Sequence, residues 1–189
     1  NDDWTTMTLD TRIYIHDPVD QAEVFEQVCA LLGIPETKRF EVTQDAPYGR
    51  VEEGTTEMSN APGQGFDAWV MTYHNPNGIR YTDEYIADSR AEDEEPEGAN
   101  GHIMEISMDS TYGGTYPGGT NCTQFHAVVI ARLGDWLNNR GVRWSWKNEY
   151  TGEVHEGVAG LEEFVSVGGE ARDWFTNSVL PLIENGSLR

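Results

Sequence analysis

The order in which hydrophobic periodicities follow one another constrains the fold of this chain more than any other feature. Residues 11–16 alternate between apolar and polar side chains, which is typical of a half-buried strand. Residues 20–32 repeat apolar side chains at helical spacing, and Gly33-Ile34-Pro35 ends that helix with a cap and a breaker. Further strands are predicted at 66–74, 102–108 and 142–147, and a second long helix at 123–139.

The strongest predicted elements follow one another as strand, helix, strand, strand, helix and strand. This is the split βαβ order of ferredoxin-like folds, in which two helices cover one face of an antiparallel sheet. We therefore expect one α+β domain of 189 residues with a ferredoxin-like core. The other segments are expected to be additions: a mixed insertion at 36–65 with a short strand at 39–42, an acidic loop at 75–100, and a C-terminal hairpin and helix within 148–189.

Acidic side chains greatly outnumber basic ones in this sequence. The chain has 33 Asp and Glu against 12 Lys and Arg, a formal net charge of -21. A surface of this sign repels nucleic acids and anionic membranes, because binding polyphosphates requires clustered Lys and Arg. No apolar run is long enough to span a membrane and no segment resembles a signal peptide, so we expect a cytoplasmic protein.

Much of this charge is concentrated in residues 83–97, which hold eight acidic side chains and one Arg. Such a run is typical of an exposed, mobile insertion whose carboxylates are simply solvated. Beside Tyr85 and Ile86 the carboxylates could also dock on a basic partner, with a long-range attraction that weakens in salt. Our leading hypothesis is therefore a non-enzymatic protein that binds a basic protein surface. The predicted contact residues are Asp83, Glu84, Asp88, Glu92, Asp93, Glu94 and Glu95.

The glycine-rich run at 110–121 has the Gly113-x-x-x-x-Gly118 spacing of a phosphate-binding loop. Gly119 stands where that loop requires Lys, which argues against nucleotide binding. Two interpretations stay open. The run is a flexible approach to a helix that Asn121 caps, or its backbone amides form a small anion site at the start of that helix. The candidate anion-binding residues are Gly118, Gly119, Thr120 and Asn121.

Three histidines are predicted to lie at one edge of the sheet. The ferredoxin-like strand order brings together His16, His74 and His102, with Asp17 beside them. Imidazole and carboxylate groups are ligands for zinc and other divalent ions. Side-chain alternation argues against such a site, because His16 should point away from the helices whereas His102 is in phase with the core-facing Met104. The alternative is a set of unrelated histidines in turns.

Motifs of catalytic chemistry are absent from the sequence. It contains no Gly-x-Ser-x-Gly elbow and no dinucleotide fingerprint, and neither Cys29 nor Cys122 lies in an electropositive setting that would activate a thiol. Cys29 falls on the apolar side of its helix, where a free Cys acts as a small hydrophobic residue. We expect no catalytic residues and no cofactor. The alternative to an interaction protein is a small-molecule, anion-binding or metal-dependent function at the histidine edge or the glycine-rich run.

Two segments of the C-terminal part, NCTQFHAVVIARLGDWLNNRGVRWSWKNEYTGEVHEG and DWFTNSVLPLI, resemble uncharacterised proteins of actinobacteria and actinobacteriophages. The resemblance includes no functional motif and implies no catalytic residues. It implies a phage accessory protein. If the protein is phage-encoded, our leading hypothesis puts it in the host cytoplasm, with a host factor as the basic partner. A further hypothesis is a structural subunit of a larger particle, which would form a homo-oligomer.

Overall fold

The computed structural model contains seven strands and three helices in the described part of the chain. It describes residues 8–32, 41–43, 49–51, 53–59, 68–91, 101–111, 122–148, 153–157 and 160–161. The strands are β1 (Thr8–Ile15), β2 (Glu41–Thr43), β3 (Thr56–Ser59), β4 (Ala68–His74), β5 (Met104–Thr111), β6 (Trp144–Asn148) and β7 (His155–Glu156). The helices are α1 (Gln21–Leu32), α2 (Asp83–Ala91) and α3 (Cys122–Asn138).

The seven strands form one antiparallel sheet in the order β2-β3-β4-β5-β1-β6-β7. β1 lies between β5 and β6, so that Ile13 is opposite Ile106 on one side and Trp146 on the other. The predicted α+β class with an antiparallel sheet is therefore confirmed. β2 and β3 extend one edge of the sheet, which shows that the insertion at 36–65 contributes strands to it. β7 extends the other edge as the second strand of the predicted hairpin.

α1 and α3 pack on one face of the sheet, called here the helix face. Trp146 is fully buried in this layer, together with apolar side chains of both helices and of the central strands. At Gly134 a Cβ would lie 2.0 Å from Cζ2 of Trp144, so α3 can approach β6 closely only because residue 134 has no side chain. Cys29 and Cys122 are both buried as free thiols, as predicted for Cys29.

The ends of the two long helices follow from local hydrogen bonding. Asp20 caps α1, because its Oδ1 accepts from the backbone N–H of Glu23 over 2.9 Å. Beyond the end of α3 at Asn138, Gly141 forms the C-terminal cap with a φ of 68°, the left-handed conformation that glycine adopts without strain. The backbone N–H of Val142 then donates to the carbonyl of Leu137 over 3.1 Å. No helix in the described ranges has both the length and the apolar character needed to cross a membrane.

The acidic segment is wrongly predicted to be a loop throughout, because its first part forms α2. Thr82 caps this helix, since its Oγ1 accepts from the backbone N–H of Tyr85 over 3.3 Å. Asp83 and Glu84 occupy the first turn, where negative side chains are stabilised by the helix dipole. Several predictions fall outside the described residues: the acids at 92–97, the glycine-rich positions 112–121 and the C-terminal helix within 162–189.

One polar side chain of α3, His126, is fully buried against the sheet. Its Nδ1 lies 2.7 Å from Oγ1 of Thr11 on β1, and its Nε2 lies 2.7 Å from Oγ of Ser110 on β5. Both ring nitrogens therefore have hydroxyl partners, which can donate or accept to suit a neutral imidazole. Burial without a neighbouring carboxylate disfavours the charged form and lowers the pKa of His126 to about 3.

We predict that His126 makes the fold sensitive to acid. Below its ordinary pKa of 6.5 the unfolded chain takes up a proton that the folded chain refuses until about pH 3, so the free energy of unfolding falls as pH falls through this window. The expected loss is about 2 kcal/mol at pH 5 relative to pH 8. Urea unfolding at a series of pH values measures it.

The variant His126→Gln should show a weaker pH dependence than wild type between these pH values. Thr11→Val is the matched control, because it removes a hydroxyl partner but keeps the imidazole; it should lower stability by about 1–3 kcal/mol with the pH dependence retained. An unchanged slope in His126→Gln would show that other groups cause the acid sensitivity.

Candidate functional site

The face of the sheet opposite α1 and α3, called here the outer face, is built around a buried carboxylate. Glu105 is the second residue of β5, the middle strand of the sheet, and is 0% exposed. Its Oε2 accepts from Nε of Arg50 over 3.2 Å, and Nη2 of Arg50 donates to the same oxygen. Nη1 of Arg12 lies 3.4 Å from Oε1, and the hydroxyl of Tyr81 donates to Oε2 over 3.3 Å. Two guanidinium groups therefore compensate one buried carboxylate.

Aromatic rings enclose the guanidinium group of Arg50. Its Cζ lies 4.2 Å from the ring centroid of Tyr73 and 5.2 Å from that of Tyr81. Burial is the largest single influence and would lower the pKa of Arg50, but the charge and hydrogen bond of Glu105, together with Tyr81 and Tyr73, outweigh it and raise that pKa. Burial also raises the pKa of Tyr73 to about 12. At neutral pH Arg50 is therefore charged and Tyr73 is neutral, which is the arrangement that a cation–π contact requires.

This cluster anchors α2 to the outer face. Tyr85 of α2 stacks on Tyr81 with ring centroids 5.0 Å apart and an interplanar angle of 16°. Ile86 packs against the same small apolar cluster. Gly49 also lies close to Tyr85: a Cβ at this position would be 2.4 Å from Cδ2 of Tyr85, and φ is +77°. Only glycine fits this position, because both the space and the backbone conformation exclude a side chain.

The side of α2 that faces away from the sheet carries carboxylates. Asp83, Glu84 and Asp88 are all exposed. At 100° per residue these three positions lie within an arc of about 140°, whereas Tyr85 and Ile86 lie on the opposite side. Among the described residues none of the three forms an ion pair. We call this surface the acidic face of α2, and it contains three of the seven predicted contact residues; Glu92 to Glu95 lie outside the described residues.

The structure brings together two of the three predicted metal-binding histidines. The rings of His16 and His102 lie 6.4 Å apart between centroids, and Tyr14 lies beside His102 at 4.8 Å. His74 is the register partner of Met104, whose side chain belongs to the core of the helix face. His74 therefore lies on the helix face and is separated from the other two histidines. Among the described residues no group of three or more His, Cys, Asp or Glu side chains is arranged to hold a metal ion.

The prediction that His102 faces the core with Met104 is wrong. His102 contacts Tyr14 and His16, which alternate with the core-facing Ile13 and Ile15 and so lie on the outer face. β5 begins only at Met104, and Gly101 has a φ of 76°. The backbone before Met104 therefore does not follow strand geometry, and alternation cannot be extended to residue 102.

His16 lines a groove of about 560 Å³ at the end of the sheet where β1, β6 and β7 meet. Its Nε2 lies 3.0 Å from Oγ of Ser145. Burial, followed by the charge of Arg143, lowers the pKa of His16, although Asp17 and Glu156 oppose the shift. His16 is therefore predominantly neutral at pH 7, with one ring nitrogen directed to a hydroxyl.

Asp17 and Arg143 form a clamp at the rim of this groove. Nη2 of Arg143 lies 2.9 Å from Oδ1 of Asp17, and the backbone N–H of Arg143 donates to Oδ2 over 2.8 Å. These hydrogen bonds lower the pKa of Asp17 to about 2. The sequence indicated His16 and Asp17 but missed Arg143 and Ser145. A signal was present in the alternation Arg-Trp-Ser-Trp-Lys, which puts Arg143 and Ser145 opposite the two buried tryptophans.

Comparison with known proteins gives no relative: no family model matches the chain, and neither a curated protein nor a solved structure is significantly similar to it. Any function of the acidic face or of the groove must therefore be inferred from the residues of this chain.

We predict that Glu105 is essential for stability. Glu105→Gln leaves two guanidinium groups beside a neutral amide, and breaking a buried ion pair on one side costs about 3–5 kcal/mol. Urea unfolding measures this loss. Glu57→Gln is the matched control. Glu57 is half-exposed and lies on the same face, opposite Tyr73 of β4. Among the described residues it takes no part in an ion pair. That variant should change stability by less than about 1 kcal/mol.

A double-mutant cycle separates the ion pair from general packing. Arg50→Met combined with Glu105→Gln should lose less stability than the sum of the single variants, because the pair removes both buried charges together. Additive losses would contradict a direct interaction between Arg50 and Glu105.

Proposed function

We propose that this protein is a non-enzymatic interaction protein whose acidic face of α2 binds a basic surface of a partner protein. The observation that carries the proposal is the division of α2 into two sides. Asp83, Glu84 and Asp88 are exposed on one side, while Tyr85 and Ile86 are anchored on the other. An anchored helix presents its charges without first having to be ordered, which lowers the entropic cost of association.

The charge of the whole chain supports this proposal. A net charge of -21 attracts a positively charged partner from a distance and accelerates encounter. Residues 92–95, Glu-Asp-Glu-Glu, directly follow α2 in the sequence and add four carboxylates to the same stretch. The partner is therefore expected to present clustered Lys and Arg side chains, and its binding should weaken strongly with salt.

The resemblance of the C-terminal segments favours a phage accessory protein that acts on a host factor in the host cytoplasm. We also propose that the core is ferredoxin-like. The order of the four strands that correspond to the predicted core, β4-β5-β1-β6, supports this, because it puts the first predicted strand between the third and the fourth. In this proposal β2, β3, β7 and α2 are additions to the core, and α2 is the addition that carries the function.

The test is capture of a partner from an actinobacterial lysate at low salt, followed by binding measurements with the purified partner. The triple variant Asp83→Asn, Glu84→Gln, Asp88→Asn should bind about 3- to 150-fold more weakly, since each exposed ion pair contributes roughly 0.2–1 kcal/mol. Raising the salt concentration should reduce the difference between the variant and wild type.

The matched control removes three carboxylates elsewhere: Glu23→Gln, Glu26→Gln and Glu153→Gln. It has the same net charge as the first triple variant but keeps the acidic face of α2. It should bind like wild type, and circular dichroism should show that both variants remain folded. If both triple variants weakened partner binding equally, the attraction would come from the net charge of the protein and not from the acidic face of α2, and the proposal would fail.

A further inference from the structure

The groove beside His16 has features of a small-molecule site that the proposed function does not use. Its volume of about 560 Å³ is in the range of ligand pockets, about 300–1,000 Å³. One side consists of backbone and side chains from the end of α3 and the start of β6, including Val142 and Trp144. The other side comes from the β7 hairpin, where Val154 is 39% exposed and is the large apolar side chain left in solvent among the described residues.

The charges around the groove do not cancel. The carboxylate of Asp17 is engaged by the guanidinium group of Arg143 through three side-chain hydrogen bonds. Glu156 also lines the groove, and it takes no part in the ion pairs found among the described residues. Since His16 is predominantly neutral at pH 7, the described lining of the groove keeps one uncompensated negative charge.

The geometry puts this carboxylate on the same side of the sheet as two further polar groups. Glu156 is the register partner of Ser145, and side chains of directly opposed residues lie on the same face. The hydroxyl of Ser145 in turn lies 3.0 Å from Nε2 of His16. A ligand group that reaches Glu156 therefore also comes close to a hydroxyl and an imidazole.

We propose that this groove binds a small organic cation, an ammonium group on an apolar body. The ammonium group would donate hydrogen bonds to Glu156 and to the polar pair of Ser145 and His16, and the apolar body would lie against Val142 and Val154. An anionic ligand is disfavoured, because the guanidinium group of Arg143 already has a carboxylate partner and Glu156 would repel a second anion. The proposal does not depend on the acidic face of α2.

The choice of probes tests the charge and the apolar body separately. We suggest 2-phenylethylammonium, its neutral analogue 2-phenylethanol, the anion 3-phenylpropionate, and methylammonium, which lacks the apolar body. Titration of the full chain, followed by amide NMR, should show that 2-phenylethylammonium binds at least tenfold more tightly than each of the other three. Its chemical-shift changes should centre on Ser145, Glu156 and Gly157.

The variant Glu156→Gln should weaken 2-phenylethylammonium binding at least tenfold, whereas Glu26→Gln, which removes an equal charge from α1, should leave it unchanged. Glu156→Gln should also leave capture of the basic partner unchanged, which separates this site from the acidic face of α2. Three results would each overturn the proposal: no binding of the ammonium probe at millimolar concentration, equal binding of the alcohol, or equal effects of the two variants.

Discussion

The ion pair between Arg50 and Glu105 is the interaction on which the outer face of the sheet depends. A buried carboxylate on the middle strand of a seven-stranded sheet is tolerated only because charged and hydroxyl donors surround it. Arg50 reaches it from a short segment that pairs with residues 80–82 just before α2. The same guanidinium group lies over Tyr73 and Tyr81, on which Tyr85 stacks. One buried charge therefore connects the central strand to the helix that carries the acidic face.

The two faces of the sheet are built by different chemistry. The helix face is apolar and closely packed, with His126 as a polar group whose hydrogen bonds are made by strand hydroxyls. The outer face uses ion pairs and aromatic rings. These bind α2 through one side of the helix only, so its other side does not have to be apolar. α2 can therefore keep its carboxylates in solvent. Two strands away on the same face, the groove beside His16 uses an ion pair in a different way. Arg143 engages Asp17, and Glu156 has no ion pair among the described residues, so in our proposal it receives the cation.

Much of the helix face could be predicted from the sequence because it follows simple periodicities. Ile13 and Ile15 alternate along β1, and α1 and α3 repeat apolar residues at helical spacing. α2 was missed because its helical signal is short and lies within a run of acids that is typical of loops. The ion pair between Arg50 and Glu105 could not be predicted, because the two residues are 55 positions apart and neither local sequence identifies the other as its partner. The orientation of His102 depends on backbone before β5 that does not follow strand alternation.

The most direct measurement of the central claim is amide hydrogen exchange of the full chain with and without a dodecalysine peptide, at low and at high salt. If the acidic face of α2 is the docking surface, added protection at low salt should be concentrated in residues 83–91 and should disappear at high salt. In Glu105→Gln the same residues should exchange faster even without the peptide, because the anchor of α2 is lost. Protection spread evenly over the acidic surface, with 83–91 unchanged, would contradict the account.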